Sequence, residues 1–417
     1  MGAVFAGLDF GTSNSTVGLA DAGGARLIAL EGDQVTLPSA VFFHADGEAP
    51  DFGRAALSAY LEGDEGRLMR GLKSTLGSGL IQERTAVGNR AVSFRDILQR
   101  FIAHLRQRLD AVQPGLTQVV LGRPVHFVDD DPAGDAAAQA VLEEIARHCG
   151  FRDVEFQFEP VAAALDYEQR LEREEIVLVF DIGGGTSDLS VLRLSPLRAR
   201  LAERAGDILA NDGIRVGGTD FDRLLSLAEV MPHLGYLSPT RGGAGTMPRH
   251  YWQDLATWHR INSLYSQRVM ADLKALTHEA DHPERIARMI RVVEGRHGHA
   301  LAMEVERAKI ALSGEEATRL ALSALTGGPN PMARRDRFEE AVAAPVARIG
   351  ALIGSTIAAA GLGPDRIATV FLTGGSSQLP LLRATVAAAL PQARLATGDM
   401  LGSVGTGLAL DARRRFG

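Results

Sequence analysis

The sequence predicts an α/β protein built from two repeated halves that face one shared cleft. Two observations carry this reading. A pair of strand–turn–strand units holds aspartate and glycine at the tips: Asp9-Phe-Gly11-Thr12-Ser13-Asn14-Ser15 and Asp181-Ile-Gly183-Gly184-Gly185-Thr186-Ser187-Asp188. The runs VFAGL and STVGLA flank the first tip, and IVLVF and LSVLRL flank the second. After each unit the chain also repeats one order: inserted segment, helix, strand, helix. Strands alternating with helices argue for an α/β sheet in each half. Glycines let backbone N–H groups approach an anion closely, and a carboxylate can hold hydrated magnesium. Two such tips can grip one nucleotide from both sides.

The elements follow in order. Residues 3–20 read as the first hairpin, and 27–43 as further strand segments split by the turn Glu31-Gly-Asp33. Residues 51–92 read as helical and loop-rich. From 96 to 112, Ile97, Phe101, Leu105 and Leu109 recur every four positions, the stripe of an amphipathic helix. QVVLG at 118–122 is a buried strand, and the helix over 135–149 closes at Gly150, a left-handed cap. Glu159-Pro160 opens the next helix, with proline in its first turn. In the second half, the loop Val216-Gly217-Gly218-Thr219-Asp220-Phe221-Asp222 follows the hairpin. Residues 222–316 read as mostly helical, broken near 237–248. TVFLTGG at 369–375 is a strand ending in a turn, and Pro380 starts a helix.

Composition excludes several classes. With 417 residues, 46 % apolar and 23 % charged, the chain has the make-up of a globular protein with several core-bearing lobes. A net charge of −7 disfavours non-specific nucleic-acid binding. The single cysteine, Cys149, rules out an intrachain disulfide and a Cys-based zinc site. No apolar run is read as a membrane span, no signal-peptide pattern opens the chain, and a cytoplasmic location is the expectation. Only three of the 44 basic residues are lysines: Lys73, Lys274 and Lys309. A lysine here marks a position where a compact ammonium is wanted and a planar guanidinium will not serve.

Five segments in order, GLDFGTSNSTVGL, EPVAAALDYE, VFDIGGGTSDLSVL, VGGTDFD with VERAKIALS, and VFLTGGSSQLPLLR, resemble the nucleotide-binding domain of the Hsp70 chaperones. These belong to the actin–hexokinase–Hsp70 ATPase superfamily. The resemblance runs from about residue 3 to about 410 and is most similar to the short, YegD-type relatives. It implies an actin-like ATPase fold of two duplicated, ribonuclease-H-like lobes around a central nucleotide cleft. Lobe I would cover 1–172, with an inserted subdomain near 36–104. Lobe II would cover 173–417, with one near 222–300. A peptide-binding domain is expected to be missing.

The resemblance also implies roles. Asp9 and Asp181 match the aspartates that hold Mg²⁺ largely through water. Gly11, Thr12, Ser13, Asn14 and Gly183 to Gly185 (with Gly184) would meet the phosphates of ATP or ADP. Lys73, Glu159, Thr186 and Asp188 match the catalytic group around the γ-phosphate and the attacking water. Gly217 and Gly218 would lie along the ribose–phosphate side. Glu306, Lys309 and Ser313 share one helix face toward ribose and adenine, and Gly374, Gly375, Ser376 and Gln378 form the adenosine turn. The expected partners are nucleotide and a protein partner or exchange factor, with no nucleic acid and no membrane.

Departures are visible. Gln378 stands where the family has an adenine-stacking arginine. Leu401 or Gly402 replaces an acidic residue, for which Asp399 is a candidate substitute. Arg123 and His126 are unusual neighbours for Pro124. The favoured function is slow ATP hydrolysis that opens and closes the cleft. The rivals are a non-hydrolysing nucleotide sensor, a small-molecule kinase and an actin-like filament former. His278-Glu279-Ala280-Asp281-His282 fits the zinc-protease pattern, but Pro283 ends the helix at once. His297 and His299 read as exposed, and the C-terminal arginines as a solvated basic tail.

Overall fold

The computed structural model describes residues 2–87, 90–128, 131–201, 203–243, 245–396 and 402–417. Asp399 and Leu401 lie outside the described residues.

Two five-strand paths organise the chain. The first runs β1 (Phe5–Phe10), β2 (Asn14–Asp21), β3 (Gly24–Leu27), β4 (Gln118–Arg123) and β5 (Asp153–Phe158), in spatial order β5-β4-β1-β2-β3. The second runs β6 (Glu175–Ile182), β7 (Ser187–Leu194), β8 (Ile208–Ile214), β9 (Thr369–Thr373) and β10 (Arg394–Ala396), in order β10-β9-β6-β7-β8. In both, the first strand pairs antiparallel with the second and parallel with the fourth, and the fourth pairs parallel with the fifth. The two halves therefore share one topology, as a duplication requires. Thr36–Pro38 adds a further pairing to β2.

The local signals work as expected. Ser93 caps the helix Phe94–Val112 by accepting from the Asp96 N–H, and Ile97, Phe101, Leu105 and Leu109 are fully buried. Gly150 takes φ +98°, and Glu159–Glu168 starts with its proline. Residues 51–92 hold more strand than expected. A helix, Gly53–Glu62, is followed by strands Gly66–Arg70, Arg84–Val87 and Arg90–Ser93.

Two helices join the lobes. Ser403–Phe416, at the end of the chain, packs Leu408 and Ala412 with Phe5 and Val120 of the first sheet. Glu159–Glu168 sends Val161, Ala163 and Ala164 to Val177, Val179, Leu192, Leu194 and Phe371 of the second. The helices touch where Gly407 meets Ala162: a Cβ at Gly407 would lie 1.9 Å from the Ala162 carbonyl oxygen.

Two expectations are corrected here. The helix Arg335–Ala359 is 25 residues long, with a mean hydropathy of 1.6 in its most apolar stretch, enough to cross a membrane by length and composition. Phe338, Val342, Val346, Ile349, Ile353 and Ile357 nonetheless form a stripe within the lobe II core. The C-terminal arginines are not a solvated tail. Arg414 and Arg415 both hold Asp411, which is 1 % exposed and also accepts from Gln157 Nε2 at 3.0 Å.

Candidate functional site

Both hairpin tips have the same register. Phe10 pairs with Ser15 and Asp9 with Thr16; Ile182 pairs with Ser187 and Asp181 with Asp188. Each leaves a four-residue loop, 11–14 and 183–186, with the aspartate one pair below it. The second loop closes through a 2.9 Å bond from Gly183 N–H to the Thr186 carbonyl. Among the described residues, none accepts from the N–H of Gly184 or Gly185. Backbone donors left open on a loop are what an anion needs.

The tips meet. A Cβ at Gly184 would fall 2.4 Å from Ser13 Oγ of the opposite lobe. Val216–Thr219 packs against the same loop: Gly218 N–H donates to Gly183 O at 2.9 Å, and Thr219 N–H to Gly184 O at 2.7 Å. A Cβ at Gly217 would lie 2.6 Å from Gly184 O, so backbone fills the space a side chain would take. Gly374 has φ +78° and brings its Cα under Ile182 O and Asp181 Oδ1, which only glycine tolerates.

The charged centre lies between the tips. Lys73 follows the left-handed Gly71, in the turn Leu72–Thr75 of the inserted segment. It is 8 % exposed, and its ammonium donates to Glu159 Oε1 at the start of the interlobe helix. Burial, then Glu159 and Asp181, push the Asp9 carboxyl up to about 8, against the pull of Lys73. Burial also raises Asp181, although the Thr373 hydroxyl donates to its Oδ1 at 2.9 Å. Burial alone would lower the Lys73 pKa; Glu159 and Asp9 overrule it and hold it above the usual lysine range. Asp188 opens on the cleft yet has protein on most sides. Burial pushes it up to about 6, while the Thr186 hydroxyl, donating at 2.8 Å, opposes the shift. Three carboxyls around one ammonium are under-neutralised, and a divalent cation beside Asp9 and Asp181 would relieve them. The donor set fits hydrated magnesium held at few points. Among the described residues no cluster of three His, Cys, Asp or Glu side chains is built for direct ligation.

On the lobe II side, Lys309 Nζ lies 2.9 Å from the Asp222 carboxylate and 3.3 Å from Gly218 O. A Cβ at Gly218 would sit 2.7 Å from Ser376 Oγ, so Lys309, Gly218 and Ser376 share one corner. Glu306 acts on the Asp222 charge from the same helix, Gly298–Leu312. Ser313 bonds its own helix at Lys309 O, 3.3 Å away, and Gln378 ends the turn Gly375–Gln378. Gly375 and Gly185 meet no atom that a Cβ would strike. Sequence reasoning missed Asp222 and Thr373 as partners. The first stands at the end of the quoted loop and the second just before the glycine pair, but neither has a local signal for what it holds.

The zinc-protease pattern is not a site. His278 lies in the helix Gln267–Glu279, and His282 precedes the separate helix Pro283–Glu294. His299, expected to be exposed, is instead 4 % exposed and buried.

The family model described as "Hsp70 protein" matches residues 72–229 and 291–413, well over half the chain. The chain belongs to the Hsp70 family. Its fold is the Hsp70 actin-like ATPase fold. It is 26 % identical to the chaperone protein HscA of Pectobacterium carotovorum, over 97 % of this chain and 57 % of that protein. It is 27 % identical to HscA of Edwardsiella ictaluri, over 98 % and 57 %. A homolog of HscA from Aromatoleum aromaticum is 30 % identical over 52 % of this chain and 36 % of its own. The chain thus spans somewhat more than half the length of the Hsp70 relatives it matches end to end.

Proposed function

We propose that this Hsp70-family chain binds ATP between its two loops and hydrolyses it slowly, acting as a nucleotide-dependent switch. The observation that carries the reading is the meeting of Ser13 and Gly184 above a shared charged centre of Asp9, Asp181, Lys73 and Glu159. Magnesium, when bound, would neutralise phosphate charge and be held by Asp9 and Asp181. The open N–H groups of the second loop would bind phosphate oxygens. Lys73 would place an ammonium toward the transferred group, held in position by Glu159. Asp188, fixed by Thr186, would orient the attacking water. Positioning and charge neutralisation supply the catalysis, without a covalent intermediate. Lys309, Glu306 and Ser376 would line the nucleoside side. Ligand binding would favour the closed arrangement of the lobes, and hydrolysis would relax it. A protein partner and a cytoplasmic setting belong to the same proposal.

The test is phosphate release from purified protein with Mg-ATP, alongside calorimetric binding. We expect turnover abolished by Lys73→Ala with ATP binding kept. Binding without turnover in the wild type would instead support a nucleotide sensor. No binding heat with Mg-ATP would overturn the reading.

A further inference from the structure

The two inserted segments touch each other, and the contact is made of rings. Tyr60, on the lobe I helix Gly53–Glu62, places its hydroxyl 2.6 Å from His299 Nδ1 on lobe II, 239 residues away. His299 Nε2 lies 3.2 Å from the Trp258 carbonyl. This arrangement sets the neutral tautomer: Nε2–H donates to the carbonyl, and Nδ1 accepts from the Tyr60 hydroxyl. The His299 ring stands edge-on to Tyr60 at 4.7 Å and to Trp258 at 4.6 Å. Arg70, three residues before Lys73, crosses from lobe I and lays its guanidinium 4.6 Å over the Trp258 ring. It also acts on the Asp222 charge beside Lys309.

We propose that Tyr60, Arg70, Trp258 and His299 form a proton-sensitive clasp across the cleft, whose opening sets how fast a bound ligand leaves. Both sides are needed, because Tyr60 and Arg70 come from one lobe and Trp258 and His299 from the other. Sensitivity follows from the bonding: a protonated Nδ1 can no longer accept from Tyr60, and the imidazolium would face Arg70. The other polar groups acting on Tyr60 are Asn262, whose Oδ1 is 3.4 Å from the Tyr60 hydroxyl, Tyr265, and Arg296, which lies over the Tyr265 ring. Burial pushes the His299 imidazole down to about 4, the Trp258 carbonyl opposes the shift, and Arg70 adds to it. Opening restores the ordinary value near 6.5, so acid favours the open form.

The clasp rests on the nucleotide reading only for the identity of the ligand. The probe is the fluorescent analogue mant-ADP with Mg²⁺, its release followed by stopped flow on the full chain. Tyr60→Phe and Arg70→Met should each speed release roughly three- to tenfold, the effect of losing one hydrogen bond or one cation–π contact. Wild-type release should accelerate roughly tenfold between pH 7 and pH 5. His299→Gln, which keeps one donor and one acceptor, should abolish that pH dependence. Unchanged release in Tyr60→Phe and Arg70→Met overturns the clasp. If mant-ADP does not bind, the nucleotide reading fails. The clasp is then decided by Trp258 emission in ligand-free protein, taken as the difference from Trp258→Phe. A red shift in Tyr60→Phe supports it, and an unchanged spectrum overturns it.

Discussion

Replacing Gly407 with alanine puts a methyl group where the two connecting helices touch. The new carbon would lie 1.9 Å from the Ala162 carbonyl oxygen, 2.6 Å from its carbon and 3.1 Å from its Cα. All three are backbone atoms, so no rotamer can yield, and the helices must part by roughly 1 Å. Parting loosens the contact of Leu408 and Ala412 with Phe5 and Val120 on one side, and of Val161 and Ala164 with the second sheet on the other. Overpacking of this kind costs about 2–3 kcal/mol. For a chain of this length that is a fall in Tm of roughly 2–3 °C. Gly354→Ala is the control: it sits on the exposed face of a helix, a Cβ there meets nothing within 4 Å, and the exchange should add roughly 0.5–1 kcal/mol. The assay is urea unfolding of both variants with Mg-ATP binding measured in parallel. Gly407→Ala should be less stable and bind more weakly, because the crossing sets the angle between the lobes. A Gly407→Ala protein as stable as wild type would show that the two helices are not in close backbone contact at this crossing.

Three further outcomes are expected. Glu168→Gln leaves the fully buried Arg204 guanidinium with Asp207 as its remaining carboxylate, and urea unfolding should show a loss of about 2–3 kcal/mol. His299 is held near 4 in the fold and titrates near 6.5 unfolded, so the unfolded state binds the extra proton between these values. Stability should therefore fall as pH drops from 6.5 toward 4, by up to about 3 kcal/mol, and the difference from His299→Gln isolates this histidine. Gly374→Ala would force a side chain to φ +78° with its Cβ 2.2 Å from Ile182 O and 3.0 Å from Asp181 Oδ1. Calorimetry should show Mg-ATP affinity lowered at least about tenfold through displacement of Asp181.

The parts legible in sequence were those with a local cause. Asp9 and Asp181 stand out because each is followed by glycine at the tip of an apolar hairpin. Pro160, Pro380 and Gly150 punctuate helices by their own backbone limits. The scarcity of lysine marks Lys73 and Lys309, and both are largely buried and ion-paired. What stayed hidden depends on how the lobes dock. Nothing near Gly407 announces Ala162, and nothing near Tyr60 announces His299. Arg414 and Arg415 read as a solvated tail because their partner, Asp411, is one helical turn back on a helix whose packing is long-range. The helix Arg335–Ala359 carries Pro345 within it, a residue that usually argues for a break.

In the proposed function, one triphosphate is gripped from both halves at once. A crystal structure of the chain with Mg²⁺ and a non-hydrolysable ATP analogue tests it most directly. One nucleotide per chain is expected, its phosphates within hydrogen-bond reach of both loops, 11–14 and 183–186, with the metal between Asp9 and Asp181. A nucleotide bound by only one of the two loops, or at another surface, would contradict it.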